Sequence, residues 1–385
     1  MRQTRRGFLR RTLGTCWIGG AVLDQAMFRA VRARAQAAAN VRLPALFDIE
    51  RVAEGVYLAV ARAQTLINSN AVIIENERDL MIVDTHSKPS AVASLLRQIR
   101  DHVSPKPLKY IVASHFHWDH SHGLGTYRRI APNADLVATE TTRRLIGEQT
   151  LPRLKASFDQ LGASIEDYKQ RQGKARTEQE RAQWREMITE TEDYLREMKT
   201  FQLELPNMTL ERDLILHDKA HDLHLAFRGR GHTAGDLVVH IPQKKTIATG
   251  DLLHGFFPFI GDGFPREWPR TLVAVAGMEF DAVAGGHGAP QRDKRRLYQM
   301  GNYIEEVTEA VVRGRAAGRT QAELEASITP SALRTIEDGG FGAASVEAVI
   351  KYRRLAPPAP AAVQVLAEAV RTNVTQIYTA LDRSA

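Results

Sequence analysis

Two distant stretches of this chain follow one plan, and a chain that repeats such a plan has few ways to fold. "NAVIIENERDLMIVDTH", beginning at Asn70, sets an apolar run, a polar hairpin and a second apolar run ahead of Asp84. "DLVVHIPQKKTIATGDLL", beginning at Asp236, does the same ahead of Asp251. Short aliphatic runs punctuated by polar turns read as strands. Two similar half-sheets bury their apolar faces by packing on one another with helices outside, so the expectation is a four-layer αββα sandwich of the α/β class.

Neighbouring segments extend each half. "GVYLAV" (Gly55 to Val60) and "YIVAS" (Tyr110 to Ser114) flank the first pattern, and "SAVASLLRQIR" places Val92, Leu95, Leu96 and Ile99 at helical spacing. "LHLAFRG" (Leu223 to Gly229) and "FDAVAGGH" (Phe280 to His287) flank the second. Together they predict a domain over residues 45–290, interrupted by a charged insertion at about 150–200. There "LPRLKASFDQLGASIEDYKQ" and "TEQERAQWREMITETEDYLREMKT" predict a helical hairpin, the second arm opening on a Thr177/Glu180 capping box. Trp184, Met187, Ile188, Thr191, Tyr194, Leu195 and Met198 share one face of it, for packing or for a lid. Residues 291–385 predict a helical extension whose last run carries Val363, Leu366, Val370, Val374, Ile377 and Leu381 on one face. Helical faces of this kind suit packing, or a homo-oligomer.

The formal charge of +7 raises the question of nucleic acid. Through Ala35 the chain carries Arg2, Arg5, Arg6, Arg10, Arg11, Arg29, Arg32 and Arg34 against Asp24 alone, so the remainder is neutral and lacks a phosphate-binding footprint. "TRRGFLR" (Thr4 to Arg10), followed by a moderately apolar stretch to Leu23, resembles a twin-arginine export signal. That resemblance implies a signal over residues 1–35, the twin-arginine export machinery as a partner, a periplasmic location and a metal loaded before export. The one cysteine, Cys16, lies in that signal, which leaves the mature chain without a disulfide or thiolate ligand.

"SHFHWDHSHGLG" then gathers His115, His117, Asp119, His120 and His122 just past a strand. Side chains two apart at a strand end leave on one side, as two imidazoles on one metal require. His232 in "RGRGHTAGD", Asp251 in "IATGDLLHG" and His287 in "AVAGGHGAP" each follow another strand among glycines, where backbone can approach closely. Strand ends gathered at one sandwich edge are where such residues can meet.

These motifs resemble those of the metallo-β-lactamase-fold superfamily over most of Val52 to Pro290: "HFHWDH" matches its HxHxDH motif, and "GHTAGD", "GDLL" and "GGHG" match the next three in order. The resemblance implies His115, His117 and His232 as ligands of a first zinc, Asp119, His120 and His287 as ligands of a second, and Asp251 as the bridge. Two Zn2+ per chain are expected, with iron or manganese tolerated by the carboxylates. Two such cations would activate a shared water to hydroxide at neutral pH, with Asp119 orienting the attack on a small-molecule substrate.

Dedicated β-lactamases of this family carry Cys or Ser where Asp251 stands, which points to its wider hydrolase branch. The expectation is therefore an exported zinc hydrolase acting on an ester, thioester, lactone or amide carbonyl. A phosphodiester or sulfate-ester hydrolase, or a metal-binding accessory of a periplasmic oxidation system, stand as alternatives. Asp84 is expected behind a ligand or capping a turn; His122 and His254, close to ligands, could serve as proton shuttle or substrate contact but are expected as polar neighbours, and His217, His221 and His224 as solvated surface. Phe256, Phe257, Phe259 and Trp268, in a Gly/Pro-punctuated loop, are candidates for an apolar cleft wall or for core.

Overall fold

Strand β1 (Phe47–Ala53) pairs with β2 (Val56–Ala61), and β3 (Ala71–Glu75), β4 (Leu80–Val83), helix α1 (Pro89–His102) and β5 (Leu108–Val112) follow. After the one-turn α2 (Trp118–Ser121) and α3 (Leu124–Ile130) come β6 (Asp135–Thr139), the long pair α4 (Glu140–Lys174) and α5 (Glu178–Met198), and β7 (Met208–Leu210). The second half runs β8 (Asp213–His217), β9 (Asp222–Phe227), β10 (Leu237–Ile241), β11 (Thr246–His254), α6 (Trp268–Ala276) and β12 (Ala282–His287). Five helices close the chain: α7 (Arg295–Ala316), α8 (Gln321–Ser327), α9 (Arg334–Glu337), α10 (Phe341–Tyr352) and α11 (Ala362–Ala380). This computed structural model describes residues 45–62, 69–337, 340–352 and 362–382, so the stretch read as an export signal lies outside the described residues.

The strands form a seven-stranded sheet in the order β1-β2-β3-β4-β5-β6-β7 and a five-stranded sheet in the order β12-β11-β10-β9-β8. Period-two alternation sorts their side chains between layers. Val72 and Ile74 of β3 join Leu237, Val239 and Ile241 of β10 in the core between the sheets. Ile73 points the other way, onto Val92, Leu95 and Ile99 of α1, while Val238 points onto the opposite helical layer with Leu272, Leu297 and Tyr303. The architecture is thus the expected αββα sandwich with a C-terminal helical extension.

The repeated plan is real in the backbone. In each half an antiparallel pair, β3–β4 or β10–β11, is followed by a crossover helix, α1 or α6, and a parallel strand, β5 or β12. The copies differ in register: against β12, β11 carries one extra residue between Ala248 and Gly250 and two more between Gly250 and His254. Pairing of β11 with β12 slips around Gly250, which adopts φ +50°, and this bulge comes immediately before Asp251.

Two boundaries differ from the sequence reading. Helix α4 begins at Glu140, capped by Thr139, and runs through Pro152 instead of starting beside it. Proline costs a helix one hydrogen bond, but Leu145 and Ile146 pack on the first half while Leu154 packs on Tyr194 and Met198, so both sides of Pro152 are held. In α11 the buried stripe opens on Val365; Val363 is 75% exposed. The rest of that face, Val370, Val374 and Ile377, joins the outer core of the second half.

Candidate metal centre

The C-terminal ends of β5, β11 and β12 share one edge of the sandwich with the β9–β10 loop. His115 and His117 follow β5, and one turn of α2, entered at His117, brings Asp119 and His120 round behind them. His232 sits in a loop tied down by Asp236, whose carboxylate accepts from Thr233 N at 3.0 and 2.9 Å and from its hydroxyl at 2.5 Å. Burial pushes Asp236 up to about 7 against those bonds. Asp251 lies within β11 and His287 ends β12.

All seven side chains are buried and form two adjoining sets. In one, His117 Nδ1 lies 3.1 Å from His115 Nε2 and 2.8 Å from His232 Nε2. In the other, Asp119 Oδ2 lies 3.5 Å from His120 Nε2 and 3.4 Å from His287 Nε2. The Asp251 carboxylate stands between them: Oδ2 is 3.4 Å from His232 Nε2 and 3.2 Å from His287 Nε2, and Oδ1 is 3.3 Å from His120 Nε2.

A metallo-beta-lactamase superfamily model matches residues 65–296. The chain belongs to that family. Solved structures similar to it include a metallo-beta-lactamase from Pontibacter korlensis, 18% identical with a TM-score of 0.48, covering 66% of this chain and 98% of that one. The DIM-1 metallo-beta-lactamase is 19% identical (TM-score 0.48, 67% and 97%), and the mono-zinc form of FIM-1 from Pseudomonas aeruginosa 17% (0.47, 69% and 97%). No curated protein sequence matches the chain significantly.

Family membership with these His/Asp sets makes the chain a metal-dependent hydrolase in general class, and the site's chemistry fits a divalent cation. His120 Nε2 and Asp251 Oδ1 are buried, yet neither makes a hydrogen bond of acceptable geometry. Burial, reinforced by the neighbouring imidazoles, holds His115 and His232 well below the ordinary histidine range, leaving neutral nitrogens with free lone pairs. At His120 burial acts in the same sense, but Asp251, Asp119 and Asp84 outweigh it and push the ring well above that range. For Asp251 burial favours the neutral acid, and the histidines around it reverse the balance and keep it ionised. A pocket that demands positive charge and offers unpaired nitrogen and oxygen atoms is a cation site.

Groups behind the centre fix its atoms. Asp84 Oδ2 accepts from His120 Nδ1 at 2.8 Å, which leaves Nε2 facing the centre, while Oδ1 accepts from Ser114 N at 2.9 Å. The Ser114 hydroxyl lies 3.0 Å from His115 Nδ1, and the Phe259 carbonyl accepts from His232 Nδ1 at 3.1 Å. His117 Nε2 meets Asp262 Oδ2 at 2.9 Å, and Arg153 of α4 clamps both oxygens of Asp262 at 2.8 Å. Beneath, a Cβ at Gly286 would run into Asp251 Oδ1, so the position has room only for glycine.

Sequence reasoning passed over Asp262 and Arg153 and gave His254 no place among the ligands. His254, read as a polar neighbour, stands with its Nε2 3.2 Å from Asp251 Oδ2 and with Asp251 and His287 forms a third group able to hold a cation. Asp262 and Arg153 carried no motif or spacing to find them by. His122, by contrast, belongs to none of the groups. In the "HDKAHDLH" tract His217 is exposed against Asp222, but His221 is buried on Asn76 and is not solvated surface.

A cleft of about 330 Å3 opens over the centre, bounded by Phe256, Phe259, Trp118 and Arg153 besides the ligand-type residues. Of the four aromatics weighed for its wall, two serve. Phe257 instead packs on Tyr303 and Phe341, and Trp268 is fully buried with its indole N–H on the Leu252 carbonyl.

Proposed function

We propose that this chain is an exported zinc hydrolase holding two metal ions, acting on an ester, thioester, lactone or amide carbonyl. The observation that carries this reading is the Asp251 carboxylate between two complete ligand sets, with its two oxygens directed to different histidines. Zinc is favoured by imidazole-rich sets without a thiolate. When bound, zinc lowers the pKa of a coordinated water toward neutrality and polarises a carbonyl oxygen.

The chain's own residues supply the rest. Burial raises the pKa of Asp119, but His120 and His287 outweigh it and hold the carboxyl well below its ordinary range, so at neutral pH it stays ionised and can orient an attacking water by accepting its hydrogen bond. Asp84, Ser114, Asp262 and the Phe259 carbonyl keep the imidazole rings aimed. Phe256 and Phe259 cover one side of the cleft against bulk water.

Metal analysis of the purified chain should find about two zinc per chain, and a folded, metal-free protein would refute the reading. A panel of aryl esters, lactones, a thioester, a chromogenic cephalosporin and a phosphodiester sorts the bond class. On the preferred carbonyl substrate Asp119→Ala should lower kcat/KM by roughly 10²- to 10⁴-fold. Turnover unchanged by that substitution would mean the hydrolysis arises elsewhere.

A further inference from the structure

The cleft has a neighbouring chamber that none of the ligand motifs explains. Its volume is about 250 Å3, and its apolar walls are Phe116 and Trp118 from the ligand loop, Leu154 and Leu161 from α4, and Tyr194 from α5, with Ser157 of α4 also facing the space. His117, Trp118 and Arg153 line both spaces, so the chamber adjoins the centre directly. Protein interiors leave few voids larger than a water molecule.

We propose that this chamber receives an uncharged apolar group of the substrate, an alkyl chain or aryl ring carried beside the scissile carbonyl; the inference rests on the hydrolase reading above. Since an apolar cavity of about 150 Å3 takes one benzene ring, this chamber takes up to about ten carbons. Its chemistry excludes a charged tail. Arg153, the cation at the junction, is committed to Asp262 through two bonds of 2.8 Å and lies 5.0 Å from the Phe116 ring. Leu154, Leu161 and Phe116 offer an anion nothing in return for its hydration, and the hydroxyl and amide groups of Tyr194, Thr150, Ser157 and Gln160 at the wall bring no counter-charge. The insertion is therefore the specificity wall of the site: α4 and α5 meet the ligand loop edge-on, with Trp118 against Tyr194 at 6.1 Å between ring centroids.

The test uses the zinc-loaded protein and p-nitrophenyl esters from acetate to dodecanoate. Each methylene that enters the chamber should raise kcat/KM about fourfold, and the rise should stop at about ten carbons. Ser157→Phe, which fills the chamber from α4, should pull the values for long esters down toward that for acetate, and Leu161→Ala should move the optimum to longer chains. Calorimetry with 1-octanol reads binding without hydrolysis: saturable heat in the wild type, lost in Ser157→Phe, is the expected result. A flat chain-length profile among esters that are hydrolysed, or octanol bound equally by wild type and Ser157→Phe, overturns the proposal. Octanol binding lost in Ser157→Phe, with no ester hydrolysed, supports the chamber and places the failure in the hydrolase reading instead.

Discussion

Asp84 follows β4 in the first half and Asp251 lies within the equivalent strand β11 in the second, yet they reach His120 from opposite sides. Asp84 holds Nδ1 at 2.8 Å from behind, whereas Asp251 faces Nε2 at 3.3 Å from within the centre. The difference accompanies the irregular pairing of β11 with β12, which begins at Gly250. The bulge at Gly250 lets β11 continue past Asp251 to His254, whereas β4 stops at Val83 and turns away through Asp84 and His86, both at positive φ. One topology thus supplies a ligand-type carboxylate in one copy and an orienting carboxylate in the other. The halves also deliver their imidazoles differently. The first sends His115, His117 and His120 from a single loop and turn; the second sends His232 and His287 singly from separate strand ends.

The sharpest test of that contrast compares two residues of the second half. Asp251→Ala removes the contact common to both sets and should lower kcat/KM on the order of 10³-fold or more, with loss of metal from both positions. His287→Ala leaves His115, His117, His232 and Asp251 in place and should retain about one metal per chain. Equal metal loss in the two variants would show that Asp251 does not join the sets.

A smaller effect separates the supports. Asp84→Ala should weaken metal affinity about 10- to 100-fold in a chelator competition, because His120 loses the partner that fixes its ring. Arg153→Ala acts one bond further out, through Asp262 on His117, and its side chain is half exposed, so the loss should stay under about tenfold. Equal losses would make the insertion as much a part of the centre as β4 is.

A separate consequence concerns stability alone. His86, at φ +62° after β4, has no counterpart in the second half; burial lowers it from 6.5 to about 3. The unfolded chain binds a proton below pH 6.5 that the folded chain refuses, so stability falls as pH drops from about 6.5 toward 3. Asparagine tolerates that backbone conformation, so His86→Asn should show an acid loss shallower on the order of 4 kcal/mol in urea unfolding at pH 3.5 to 4. Parallel acid limbs in the two proteins would remove His86 as the cause.

Legibility in the sequence follows the same division. The β3–β4 and β10–β11 runs announced the sandwich because period-two burial leaves unbroken aliphatic runs when both faces are covered. The first-half ligand loop was legible as a cluster within six residues, while His232, Asp251 and His287 were legible only through their glycine frames. His254, Asp262 and Arg153 were not. Each is a lone polar residue whose role is set by a neighbour far along the chain, as Arg153 is by Asp262, 109 residues away. Nor does a glycine-rich loop reveal which way its aromatics turn: Phe256 faces the cleft and Phe257 the core. The chamber was invisible for the same reason, since it exists only where α4 and α5 pass the ligand loop.

Asn70, the first residue of the repeated plan, ties together segments far apart in the chain. Its amide donates to the carbonyls of Gly285 and Gly288, 215 and 218 residues later, and so seals the edge that the two halves share. Closures over such separations are slow, and they come after the local hairpins and crossovers have formed. Until then no single segment presents more than one half's share of the centre. A cation held by both sets accordingly binds the finished fold in preference to any partly folded form, and by mass action each tenfold rise in free metal above the dissociation constant adds about 1.4 kcal/mol against unfolding.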